Sequence, residues 1–196
     1  MNVFCRFSND DDYDNTYDNS YNVNESVNFD YEFNVPRIFI LGSHFQIRKT
    51  IGRLLSKFPK PPRLIIYLYR DAFIDRTPMP KNTLQFDYKE FEKDLPKFYS
   101  KEEDLLIVDN CMDKDFYYRI LKEHSGPIIF GTSSFNVHQR NIAISCQYLF
   151  LFQTKYNDAL TIYLQGSQKI LNNLSEDRFL IIDKHNEKEY CESLLY

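Results

Sequence analysis

Four things are missing from this sequence of 196 residues. It has no tryptophan, no CxxC pair among Cys5, Cys111, Cys146 and Cys191, no HxxxH spacing among His44, His124, His138 and His185, and no long apolar run. Scattered cysteines without a framework argue against a disulfide-stapled secreted domain and fit reduced, partly buried thiols inside a cell. The histidine spacing argues against a zinc site. A bilayer span needs about 20 consecutive apolar residues, and the N-terminus lacks the basic-then-apolar pattern of a secretory signal. The expectation is a soluble protein that is not secreted and has no membrane partner. No internal repeat is visible, which argues against a solenoid or propeller.

What is present suits one globular domain with a sizeable core: 43% of residues are apolar and 16% aromatic, all of the latter Tyr and Phe. Charge is unevenly spread. Residues 1–35 hold eight acids and only Arg6, a net −7, so residues 36–196 carry +3, the difference between −4 and −7. A mildly basic body is compatible with nucleic-acid contact without demanding it. Residues 8–34 are dominated by Asn, Asp, Ser and Tyr and show no apolar period before Phe29. Such a segment buries too little surface to offset its ordering entropy. The expected division is a disordered acidic tail over 1–30 and a folded domain over 31–196.

Within the domain, short apolar runs alternate with helical periods. Strands are expected at Arg37–Gly42, Arg63–Tyr69, Asp104–Asp109, Pro127–Thr132, Tyr148–Phe152 and Arg178–Asp183. Helices are expected at Ile47–Phe58, where Pro59, Pro61 and Pro62 stop the chain, and at Tyr88–Tyr99, Lys114–Glu123 and Asn157–Asn172. Continuous rather than alternating apolar strands are those buried on both sides. The fold class is therefore α/β, a mainly parallel sheet with helices on both faces.

Open α/β sheets bind ligands at the carboxyl ends of their strands. Two such ends stand out. The first is Gly42-Ser43-His44-Phe45-Gln46-Ile47-Arg48-Lys49-Thr50, between the first strand and its helix. A phosphate-binding loop there reads G-x-x-x-x-G-K-[ST]: its glycines let backbone amides close round phosphates, its Lys reaches the outer phosphates, and its hydroxyl binds Mg²⁺. Lys49 and Thr50 supply the last two residues, but Ser43 and Arg48 fill the two glycine positions and Gly42 lies one residue early. Forcing an L-residue into a left-handed backbone costs roughly 1–2 kcal/mol, although the Arg48 guanidinium has the charge to pair with phosphate. The second is Leu105–Asp109, an apolar strand ending in an acid that suits a Mg²⁺ shell. The neighbour that would activate water is Asn110, whose amide accepts no proton; general-base help is typically worth about 10²–10⁴-fold. Asp113 lies three residues on. Each motif also has a plainer reading, a basic first helical turn and a helix-capping acid.

Taken in order, these pieces resemble the poxvirus-type DNA-packaging ATPases of the FtsK–HerA class, P-loop NTPases of large DNA viruses. The likeness runs over about residues 36–190, through Arg37–Thr50, Arg63–Tyr69, Asp104–Met112, Ile128–Phe135, Arg140–Phe152 and Arg178–Asp183. The resemblance implies a P-loop NTPase-like fold, ATP and Mg²⁺ as cofactors, and nucleotide contacts from Gly42, Ser43, Arg48, Lys49 and Thr50. It implies metal held by Thr50 and Asp109, with Asp109 and Arg140 catalytic, Arg140 acting across the interface of a homo-oligomeric ring. Double-stranded DNA and capsid proteins are the implied partners, in the cytoplasm or nucleus of an infected host cell. The departures cluster: beyond the lost glycines and Asn110, Ser133 or Ser134 replaces a sensor Gln and Ser145 an Asn. Two functions stay open: ATP-driven movement of duplex DNA into a capsid, and a catalytically inactive pseudo-ATPase that serves as a scaffold or binding subunit.

Overall fold

The computed structural model describes residues 36–58, 60–70, 79–94, 103–110, 114–154, 171–185 and 188–193. In chain order they form β1 (Arg37–Leu41), α1 (His44–Lys57), β2 (Ile65–Tyr69), β3 (Thr83–Asp87), α2 (Tyr88–Asp94), β4 (Leu105–Asp109), α3 (Lys114–Glu123), β5 (Ile128–Thr132), α4 (Val137–Ser145), β6 (Tyr148–Phe152), β7 (Arg178–Asp183) and β8 (Lys188–Ser193). The acidic tail expected over 1–30 lies outside the described residues, as does the helix expected over 157–172 but for its last two residues. Cys5, Cys111 and Asp113 lie outside them too.

The strands form one eight-stranded sheet in the order β3-β2-β4-β5-β1-β6-β7-β8. The six from β3 to β6 run parallel. Only β7 reverses, antiparallel to both β6 and β8. β1 thus sits beside β5, which sits beside β4, so the tips after Leu41, Thr132 and Asp109 are neighbours.

Strand alternation divides the apolar residues between two cores. Phe39 and Leu41 of β1, Leu106 and Val108 of β4, and Ile128 and Phe130 of β5 pack on one face with Phe116, Tyr117 and Ile120 of α3 and Ile142 and Ala143 of α4. Ile38, Ile40, Leu105, Ile107 and Ile129 point to the other face, where Ile47, Ile51 and Leu54 of α1 cover them. The parallel strands are continuous apolar runs because both faces need one. Each fully buried Ile or Leu of α1 contributes about 1.5–3 kcal/mol of transfer free energy.

α1 comes close to the sheet at Gly131. A Cβ there would stand 2.5 Å from Ile47 Cγ2 and 3.7 Å from the Oδ1 of Asp109. Gly131 pairs with Ile40 of β1 and Asp109 of β4, so this one missing side chain sets how near α1 lies to the three tips.

At the opposite end of the sheet, Arg63 donates from Nε and Nη2 to the two oxygens of buried Asp104, at 3.0 and 2.7 Å. His124 lies beside them, its Nε2 3.2 Å from the Pro127 carbonyl. Burial, as the main cause, lowers the His124 pKa. Cys146 and Cys191 are buried free thiols, and burial pushes the Cys146 thiol up to about 12.

Two measurements check this packing. Gly131→Ala forces Ile47 and α1 outward and should lower stability by about 1–3 kcal/mol in urea unfolding. A histidine kept neutral by burial stabilises the fold above its unfolded pKa and loses that contribution as pH falls through it. The drop in unfolding midpoint between about pH 7.5 and pH 5.5 should therefore be smaller in His124→Asn than in the parent chain.

Candidate nucleotide crevice

The loop expected between β1 and its helix is absent. The helix begins at His44, not Ile47, directly after Ser43. Ser43 Oγ accepts from the Gln46 amide at 3.3 Å, and Gln46 Oε1 accepts from the Ser43 amide at 2.7 Å, a reciprocal capping box. The Ile47 amide donates to the Ser43 carbonyl and the Gly42 amide to the Thr132 carbonyl. Gln46 Nε2 ties the same turn to the Glu176 carbonyl at 2.6 Å. The amides of Ser43, Gln46 and Ile47, within the stretch where a phosphate loop would lie, are bonded inside the protein. Gly42 itself is kept small by packing: a Cβ would lie 2.8 Å from the Phe152 ring.

An earlier helix start sets the direction of every following side chain. Thr50 falls on the buried face, 1% exposed, and its hydroxyl donates to the Gln46 carbonyl at 2.8 Å. Lys49 turns outward, with Nζ 5.7 Å from the centre of the exposed Phe45 ring. Arg48 turns to the tip of β4, its Nε 3.6 Å from Asp109 Oδ2, with the side chains only 12% and 3% exposed. The cation that meets Asp109 is thus Arg48 rather than Lys49.

Asp109 heads a polar cluster. The Tyr67 hydroxyl donates to its Oδ2 at 2.6 Å. Burial first, and the charge of Asp109 second, raise the Tyr67 phenol well above its ordinary range, so it remains a donor. Asn110 follows in a left-handed backbone, φ 53°. Its Nδ2 donates to His44 Nδ1 at 2.9 Å, and its Oδ1 accepts from the Ser133 amide at 2.8 Å and the Ser133 hydroxyl at 3.0 Å. The tips of β1, β4 and β5 are therefore stitched together through one asparagine side chain. Arg140 lies on a separate element, half-buried on α4 in the connection that leaves the tip of β5.

Ser133, one of the two serines expected to replace the sensor Gln, is the one that meets Asn110, while His44 and Tyr67 were not expected in the cluster. Tyr67 carried a signal in principle: β2 pairs with β4 so that Tyr69 faces Asp109, which puts Tyr67 on the same sheet face two residues below.

The residues do not fit a metal-bound nucleotide as they stand. The two oxygen donors expected to share Mg²⁺ are buried, Thr50 hydrogen-bonded to its own helix and Asp109 hydrogen-bonded to Tyr67 and in charge contact with Arg48. Among the described residues, no group of three or more His, Cys, Asp and Glu side chains converges to hold a metal. Asn110 has no proton-accepting group to activate water.

Comparison with solved structures establishes the fold. The chain is similar to the genome packaging NTPase B204 from Sulfolobus turreted icosahedral virus 2 in complex with sulfate, with a TM-score of 0.61 and 14% identity over 82% of this chain and 97% of that one. The same protein in complex with ATP-gammaS aligns with a TM-score of 0.60 and 12% identity, over 80% and 96% of the two chains. The pCW3 conjugation coupling protein TcpA, as a monomer with ATPgS, aligns at 0.53 and 11% identity over 82% of this chain and 61% of its own. No protein-family model matches the sequence, and no curated protein matches it. The chain thus has the P-loop NTPase-like α/β fold of the viral packaging NTPases, as the order of its sequence motifs implied.

Asn110→Ala removes the three hydrogen bonds to His44 and Ser133 and leaves the left-handed backbone to a residue whose side chain can make no local hydrogen bond. With about 1 kcal/mol for each of the three net hydrogen bonds and roughly 1 for the backbone, the expected loss is about 4 kcal/mol. Asn110→Gly loses the same bonds without the backbone cost, so urea titration should find it about 1 kcal/mol more stable than the alanine variant.

Proposed function

We propose that this chain is a genome-packaging-ATPase-like protein that has given up Mg²⁺-dependent hydrolysis and serves as a pseudo-ATPase, a scaffold or binding subunit in the handling of double-stranded DNA. The observation that carries this reading is the start of α1 at His44, with its capping box in the place of a phosphate loop. Phosphate binding at a helix N-terminus relies on amides that point at the ligand, and here the amides of Ser43, Gln46 and Ile47 have internal partners. Asn110 supports it further, since an amide cannot replace a general base worth about 10²–10⁴-fold. The shared fold with nucleotide-bound packaging NTPases supports a nucleotide crevice as the ancestral use of these strand tips.

In this reading duplex DNA and capsid proteins remain the partners and a homo-oligomeric ring the assembly, with Arg140 a contact on the ring interface. Lys49 and Thr50 are retained in sequence, one against Phe45 and the other inside α1. In the alternative reading, a working motor, the first turn of α1 unwinds, Gly42, Ser43, Arg48 and Lys49 close on ATP, Thr50 and Asp109 share Mg²⁺, and Arg140 acts on a neighbour's nucleotide.

The deciding assay is phosphate release by the purified full chain with Mg-ATP, with and without duplex DNA. The expected rate equals that of Lys49→Ala and of buffer alone, while duplex binding persists and weakens steeply as salt rises. Turnover that Lys49→Ala abolishes would instead establish the motor.

A further inference from the structure

We infer that Arg48 is the resident cation of the crevice: its guanidinium stands in for a divalent metal beside Asp109 and keeps such metals out. The inference rests on the reading of the crevice as one that has lost its metal-bound nucleotide, and names the residue responsible.

Three observations meet here. First, Asp109 is 3% exposed at the tip of a central strand, so its charge is costly to bury without a cation. Second, Arg48 is itself nearly buried and its Nε comes within 3.6 Å of Asp109 Oδ2, too far for a hydrogen bond but well within charge contact. Tyr67 supplies a hydrogen bond to the same oxygen but no charge. Third, the approach is built into the backbone. Starting α1 at His44 places residue 48 over the β4 tip, and Gly131 lets Ile47, the residue before it, sink against β5 beside the same carboxylate.

The substitution that does this is specific. Counting back from Lys49, Arg48 holds the position where a phosphate loop has glycine and no side chain. A guanidinium is planar, permanently charged and weakly hydrated, which suits a buried site better than an ammonium. It differs from a metal in one functional respect: it is covalently fixed to α1 and cannot arrive with a nucleotide. Occupation of the Asp109 carboxylate by Arg48 makes the crevice indifferent to Mg²⁺.

Manganese serves as the probe, read by electron paramagnetic resonance on the full chain at low ionic strength. The wild-type chain should bind no Mn²⁺ that Asp109→Asn removes. Arg48→Gln, which keeps the stem and removes the charge, should bind Mn²⁺ at least tenfold more tightly than wild type, and millimolar Mg²⁺ should raise its melting temperature while leaving that of wild type unchanged. Arg48→Gln/Asp109→Asn should lose the gained Mn²⁺ and melt above Arg48→Gln in EDTA, because no buried charge is left unpaired. Should Arg48→Gln fail to fold without divalent ions, the double variant should fold, and folding of Arg48→Gln in Mg²⁺ should show the same dependence. Wild-type Mn²⁺ binding that Asp109→Asn abolishes, or a gain in Arg48→Gln that survives Asp109→Asn, overturns the inference, as does a double variant less stable than Arg48→Gln. Phosphate release from the same samples separates this from the broader reading: no turnover and no Mn²⁺ gain defeats the role of Arg48 alone, whereas wild-type turnover defeats the pseudo-ATPase.

Discussion

A carboxylate buried at the tip of a central strand has to be neutralised, and the arrangement around the crevice follows from how Asp109 meets that demand. Arg48 reaches it from α1, and Tyr67 reaches it from β2. Breaking a buried ion pair by removing one partner typically costs about 3–5 kcal/mol. The contact of Arg48 with Asp109 acts together with the apolar contacts of Ile47, Ile51 and Leu54 in setting how α1 faces the sheet. With Ile47, Ile51 and Leu54 packed against the sheet, Thr50 falls beside them, Lys49 on the far side and Arg48 at the flank, because successive residues of a helix are about 100° apart. The rearrangement of the expected nucleotide residues is one rotation, not several independent losses.

The sheet makes that rotation consequential. Parallel pairing of β1, β5 and β4 brings three tips together, and in P-loop NTPases of this fold such tips surround phosphate. Here Asn110 links His44 of α1 to Ser133 after β5, and Ser43 closes the first turn of α1 onto Gln46. The side chains of Asn110, Ser43 and Gln46 thus find hydrogen-bond partners within the chain. Fold and activity are carried by different residues, and here the residues at the strand tips are bonded to one another.

Much of the architecture was legible because burial on both faces leaves continuous apolar runs. β6, β7 and α3 begin and end at the expected residues, and the cores of β1, β2, β4 and β5 are where their Ile, Leu, Val and Phe clusters lie. The elements that escaped are those without such a signal. β3 reads Thr-Leu-Gln-Phe-Asp and β8 Lys-Glu-Tyr-Cys-Glu-Ser, short polar strands at the two edges of the sheet. α4 has a weak amphipathic pattern and is announced only by its Asn136–Gln139 capping box. The site was half legible. Asp109 at a strand tip and Asn110 beside it were plain, but the Ser43-x-x-Gln46 spacing that starts α1 early is a capping signature hidden inside what otherwise reads as a damaged phosphate loop. The partnership of Arg48 with Asp109 depends on that register and so could not be read without it.

The most direct test of this account is a crystal structure of the full chain grown with Mg²⁺ and a non-hydrolysable ATP analogue. The account requires α1 to start at His44, the Arg48 guanidinium to lie against Asp109, and no metal to sit between Thr50 and Asp109. A first turn unwound round the phosphates, with Mg²⁺ bridging Thr50 and Asp109 and Arg48 swung away, would contradict it.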